Sequence, residues 1–229
     1  MAFRNKLEIL MGFNPDIAII QECENEEVLK TKKAKIKFNK IIWVGNNKNK
    51  GIGVIAFNDF NIELLEHNNE FKYVLPIKIF NNHSEYVLLA IWTQLVNKNI
   101  YESYVVQATR AFNFYNSLLQ KENILIIGDF NSNAIWDNDS PKEYNHSQMV
   151  GILNKRKIVS VYHTMNNEEH GKESIPTLYF RKNQNHKYHI DYFFLHENSV
   201  NYIESFSIGE YDQYIKQSDH MPLFIKMKN

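Results

Sequence analysis

Apolar residues recur along this chain mostly in short runs with the β-branched and aromatic content of strands, at 17–21, 41–44, 53–57, 62–66, 73–80, 86–93, 124–127, 158–163, 177–180, 189–195 and 223–227. The run Tyr86-Val87-Leu88-Leu89-Ala90-Ile91-Trp92 is apolar on both faces, which predicts a strand covered on both sides. Helical spacing is rarer. Phe3, Leu7, Leu10 and Met11 form one stripe, ended by Gly12 and Asn14-Pro15. Tyr104, Ala108, Phe112, Tyr115 and Leu119 form a second across 101–121, and a third helix is expected over 146–155. Asn58-Asp59 and Asn81-Asn82 read as hairpin signals, and Asn46-Asn47-Lys48-Asn49-Lys50 as a loop. The pattern predicts a mixed α/β (α+β) fold in which strands predominate, with two packed sheets and outer helices.

Composition narrows the class. With 229 residues, 44% of them hydrophobic and 23% charged, and with no repeat or linker, the chain is expected to form a single domain over 1–229. Its 26 basic and 26 acidic residues cancel, which argues against a broad cationic surface for nucleic acid but leaves a local basic groove open. A lone cysteine, Cys23, excludes an internal disulfide, suits a reducing compartment and reads as a packing residue. No run approaches the ~18 apolar residues of a membrane span, and 1–10 lacks the apolar core of a secretion signal, so a cytoplasmic monomer is expected.

Four segments place chemistry at the edges of apolar runs: IAIIQE ending at Glu22, ILIIGDFN with Asp129 and Asn131, YHIDYFFL with Asp191, and SDHMPLF with Asp219 and His220. Alone, each reads as a cap or an Asx turn; together they supply hard oxygen ligands, a carboxylate base and an imidazole beside a carboxylate. That set suits metal-assisted attack of water on a phosphoester. Glu22 is the candidate principal metal ligand, since Mg²⁺ takes one or two carboxylates and keeps most of its waters. Asp129 and Asn131, two apart, would point the same way in an extended continuation of their strand, and Gly128 would let the backbone approach a ligand closely.

With GDFNSN (128–133), HIDY (189–192), SDHMPL (218–223) and, more loosely, PDIAIIQE (15–22), the chain resembles the endonuclease/exonuclease/phosphatase superfamily from Phe3 to Met227. The resemblance implies a four-layer sandwich of two packed mixed sheets flanked by helices. It implies Mg²⁺, or Mn²⁺, as cofactor and a phosphodiester substrate, DNA or RNA included. By the same resemblance Asp129 takes the proton of the attacking water, Asn131 donates to a phosphoryl oxygen and orients Asp129, and Asp191 holds His220 protonated. Asp219 stays open between a second metal position, a water-mediated ligand of the first, and a turn cap. Where many relatives present His or Tyr, this chain has Trp92 and Thr93, candidates with Trp136 for substrate contact.

The family's first central strand, ending in Trp-Asn or a similar pair, has no counterpart: Met1-Ala2-Phe3-Arg4 reads as the start of the helix that follows it. The chain is therefore expected to be truncated at its start and poor in solubility or activity. The leading expectation is a nuclease or general phosphodiesterase. The alternative is a weakly active or inactive pseudoenzyme, or a phosphomonoesterase of the same superfamily.

Overall fold

The computed structural model of the chain describes residues 3–31 and 37–228. The expected start of the first helix at Met1-Ala2 lies outside them. The chain divides into two compact units, Met1–Trp92 and Thr93–Asn229.

The first unit runs α1 (Leu7–Gly12), β1 (Ile17–Cys23), α2 (Glu26–Thr31), β2 (Lys40–Asn47), β3 (Lys50–Ala56), β4 (Asn61–Leu64), β5 (Val74–Phe80) and β6 (Glu85–Trp92). β3 is the central strand of an antiparallel sheet ordered β1-β3-β2, and β4, β5 and β6 pair antiparallel in sequence order. Phe3, Leu7, Ala18, Cys23, Leu29, Ile55 and Phe57 form a core that joins α1 and α2 to this first sheet. Cys23 is fully buried, and burial pushes its thiol far up, so it packs and does not react. Val87 to Trp92 are all buried, as a strand apolar on both faces must be.

The Asn-Lys cluster closes a tight β2–β3 hairpin around Lys48-Asn49, and Asn81-Asn82 turns β5 into β6 through side-chain bonds from Asn81 to the His83 and Ser84 amides. Asn58-Asp59 does not make a hairpin. It hands the chain from β3 to β4, which lie in different sheets.

The second unit runs α3 (Val105–Phe114), β7 (Ile124–Asp129), α4 (His146–Asn154), β8 (Ile158–Ser160), α5 (Val161–Asn166), β9 (Leu178–Tyr179), β10 (Lys187–Tyr188), β11 (Asp191–His196), β12 (Ile203–Ile208), α6 (Tyr211–Tyr214) and β13 (Leu223–Met227). β11, buried at every residue, lies between β7 and β8, antiparallel to both; β9 pairs with β10 and β12 with β13. The helix expected over 101–121 is regular only from Val105 to Phe114, with 3-10 turns Ile100–Glu102 and Leu118–Gln120 on either side.

The strand expected over 158–163 stops at Ser160. From Val161 the chain is helical: Ser160 stands at the N-cap position with extended backbone, its hydroxyl meeting His163 Nδ1, and Asn167 ends the turn in the left-handed region (φ 54°). The pattern missed β12, whose Ile203 and Phe206 pack with Ile225 and Met227 of β13 against Val161, Phe193 and Leu195.

Candidate active site

The core of the site is a strand register. β7 and β11 pair so that Asp129 and Asp191 are direct cross-strand partners at the end of the ladder. Phe130 then turns inward, fully buried against Phe112, Tyr192 and Phe194, and pins the segment that follows. Asn131 takes a left-handed conformation (φ 45°), which only a few residue types adopt readily. The result is an Asx turn and not the extended continuation the spacing predicts. The Asn131 amide N–H donates to Asp129 Oδ1 at 2.8 Å and its side-chain nitrogen donates to Asp129 Oδ2 at 2.8 Å and to the Thr93 carbonyl at 3.0 Å. The side-chain nitrogen thus orients Asp129 with one bond and ties the turn to Thr93 with the other.

His220 reaches Asp191 from the segment before β13. Its Nδ1–H donates to Asp191 Oδ2 at 2.9 Å, with Oδ1 at 3.2 Å, and Nε2 has no protein partner among the described residues. Asp129, Asp191 and His220 can bring one ligand atom each within 4.8 Å of one another. Charge follows geometry. Burial, and after it the Asp191 carboxylate, pushes Asp129 up to about 7, against the opposing pull of His220 and the Asn131 bonds. For His220, burial disfavours the charged ring, but the charge and hydrogen bond of Asp191 outweigh it and raise the imidazole to about 10. A buried carboxyl that titrates near neutrality beside an imidazolium locked by a second carboxylate is an acid–base arrangement.

No family model and no curated protein matches the chain by sequence. Solved structures do match. The endonuclease domain of TRAS1, a telomere-specific non-LTR retrotransposon, superposes with a TM-score of 0.66 at 15% identity, over 99% of this chain and 92% of that one. The AP endonuclease LMAP from Leishmania major gives 0.68 at 11% identity, over 98% and 82%. The 3'-5' exonuclease NExo from Neisseria meningitidis gives 0.63 at 13%, over 99% and 96%. The chain has the DNase I-like fold that these structures share.

Within this DNase I-like fold the other predicted residues are placed as follows. Glu22 lies in the first unit at a β-bulge: the β1–β3 register slips between Ile20 and Cys23, and Glu22 has φ 56°. Its carboxylate is exposed and pairs with Lys50 Nζ at 2.7 Å. Trp92, also in the first unit, is 5% exposed, packed on Tyr73 with Lys50 over its ring, so the indole is a core group and not a stacking platform. In the second unit Thr93 is buried and its hydroxyl donates to the Phe130 carbonyl, which commits it to the turn. Trp136 is half-buried against Tyr188. Asp219 is half-buried, its carbonyl accepts from the Tyr179 amide, and its carboxylate makes no hydrogen bond among the described residues.

Three positioning residues escaped the sequence reading. Thr177, fully buried, accepts from the Ile190 and Asp191 amides at 2.9 and 3.0 Å, while its carbonyl takes the Met221 amide at 2.7 Å; one residue thus holds the neighbours of both Asp191 and His220. Asn133 and Tyr192 fasten the two loops together: Asn133 donates to the His189 carbonyl at 2.8 Å and to Tyr192 Oη at 3.1 Å, and Tyr192 Oη lies 2.8 Å from that carbonyl and 3.1 Å from the Ser132 carbonyl. The last two stand inside GDFNSN and HIDY, so the motifs carried the signal. A lone threonine ahead of a short strand carries none.

Proposed function

We propose that this protein is a metal-dependent phosphodiester hydrolase acting on nucleic acid. The observation that carries the reading is the cross-strand Asp129–Asp191 pair, with Asn131 orienting the first carboxylate and the second fixing His220. Asp129 takes a proton from the attacking water, which a carboxyl poised near 7 can do at neutral pH. His220, charged and presenting Nε2, stabilises negative charge growing on the phosphoryl oxygens. Asp191 keeps the ring charged and aimed. The TRAS1 and LMAP proteins carry endonuclease in their names, and NExo exonuclease, which supports a phosphodiester in nucleic acid as substrate.

The carboxylates assigned to a metal fit Mg²⁺ or Mn²⁺ by their chemistry: Glu22 offers exposed hard oxygens paired with a flexible lysine, and Asp219 a carboxylate without a partner among the described residues. A bound divalent ion would neutralise phosphoryl charge and stabilise the leaving alkoxide. The test is cleavage of end-labelled single-stranded, duplex and abasic oligonucleotides with Mg²⁺, Mn²⁺ or EDTA. Metal-dependent scission by the parent, lost in Asp129→Asn and His220→Ala proteins that keep their circular dichroism, is expected. Scission unchanged in both variants overturns the reading.

A further inference from the structure

A second cluster of chemical groups lies in the second unit, none of them used by the proposed reaction. His163 on α5 and His170 and Glu173 in the irregular segment after it can bring one ligand atom each within 4.8 Å of one another. The His163 and Glu173 side chains are only 8% and 4% exposed, with Nε2 and Oε1 3.0 Å apart, and the His163 and His170 rings stack at 3.5 Å between centroids. An ion bound tetrahedrally at about 2.0–2.1 Å holds its ligand atoms about 3.3–3.4 Å apart. The His163 Nε2 and Glu173 Oε1 pair lies close to that spacing, and one of the two stacked rings must tilt out of the stack to aim its in-plane lone pair at a shared ion.

The surroundings hold the Nδ1 edge of both rings. His163 Nδ1 meets Ser160 Oγ at 2.7 Å, and His170 Nδ1 meets His146 Nε2 at 3.0 Å, while His146 Nδ1 in turn meets Ser132 Oγ at 3.1 Å. Each ligand ring is thus engaged at Nδ1 by a protein partner, as ligating histidines are, and at His163 an ion would replace the hydrogen bond between Nε2 and Glu173 Oε1. An independent observation points the same way. His189, 3% exposed, has a buried Nε2 with no hydrogen-bond partner among the described residues, and its ring lies 5.8 Å from that of His163. Two imidazoles beside one carboxylate are a donor set for a first-row transition ion and a poor one for Mg²⁺.

We propose that His163, His170 and Glu173 form a zinc-type divalent metal site, with His189 Nε2 as a further donor beside it. Its ion clips the 167–176 segment to α5, and that segment leads directly to Thr177, which holds the Asp191 backbone.

The full chain, stripped of metal, is titrated with Co²⁺ and then Zn²⁺. One equivalent of Co²⁺ should give the visible absorption of a tetrahedral nitrogen/oxygen site, displaced by Zn²⁺, and Zn²⁺ but not equal Mg²⁺ should raise the melting temperature. His170→Gln and Glu173→Gln should each weaken Co²⁺ binding at least about tenfold, and His83→Gln, at an exposed position, should leave it unchanged. X-ray absorption of the zinc-loaded parent, which needs no variant to fold, should show at least two imidazoles at about 2.0 Å. Absence of a stoichiometric ion, a shell without imidazole, or unchanged binding in folded His170→Gln and Glu173→Gln proteins overturns the proposal.

Discussion

At the scale of single residues, the two titrations at the site set the expected pH profile. Asp129 must lose its proton to act as base and His220 must keep its own to stabilise charge. Activity should therefore rise with pH through about 7, where Asp129 ionises, and fall through about 10, where His220 discharges. Asp191 is what lifts the imidazole, so Asp191→Asn should shift the alkaline limb of kcat/KM to lower pH, and an unmoved limb would refute the pairing. Glu22 offers a different kind of test. A non-glycine residue at φ 56° carries strain of order 1 kcal/mol, so Glu22→Gly should stabilise the fold by about 0.5–1 kcal/mol in denaturant titrations while abolishing metal-dependent cleavage. A less stable Glu22→Gly protein would show that the bulge is not strained. The residue types of Asp129, Asn131, Asp191 and His220 were legible because each stands in a short motif. The left-handed turn at Asn131 was not, since spacing alone cannot distinguish a strand that continues from one that folds back on its own side chain.

At the scale of elements, the bulge depends on its neighbours. Trp43 on β2 lies over the facing glycines Gly45 and Gly51, where an added methyl would meet its indole at 2.3 and 2.5 Å, and its Nε1–H donates to the Cys23 carbonyl at 2.9 Å, next to Glu22. Trp43→Phe removes that donor and should cost about 1–3 kcal/mol, measured as a shift of the unfolding midpoint. A shift under a few tenths would mean that water replaces the indole. Elements with a clean period were readable: β13 has the bounds 223–227 that its apolar run predicts, and α4 falls within a residue of its expected end. β12 was not, because Glu204 and Ser205, at a bulge in its pairing with β13, interrupt its apolar alternation. Over 158–163 the β-branched residues argued for strand, whereas β8 ends at Ser160 and the left-handed Asn167 closes a helical turn that starts at Val161.

At the scale of the whole molecule, 26 basic side chains balance 26 acidic ones, so binding of a nucleic acid should rest on few phosphate contacts. With about two, KM for an oligonucleotide should rise about tenfold or less between 50 and 200 mM salt. A rise of a thousandfold would reveal a concentrated basic groove hidden by the zero net charge. The fastening of GDFNSN to HIDY through Asn133 and Tyr192 has a further consequence at this scale. Two segments that share buried hydrogen bonds cannot open separately without stranding polar groups, so they form one cooperative unit of local unfolding. In native-state hydrogen exchange the Asn131 and Asp191 amides would then report the same opening free energy. The base and the ring's anchor would appear and vanish together, leaving no half-assembled form of the site at equilibrium.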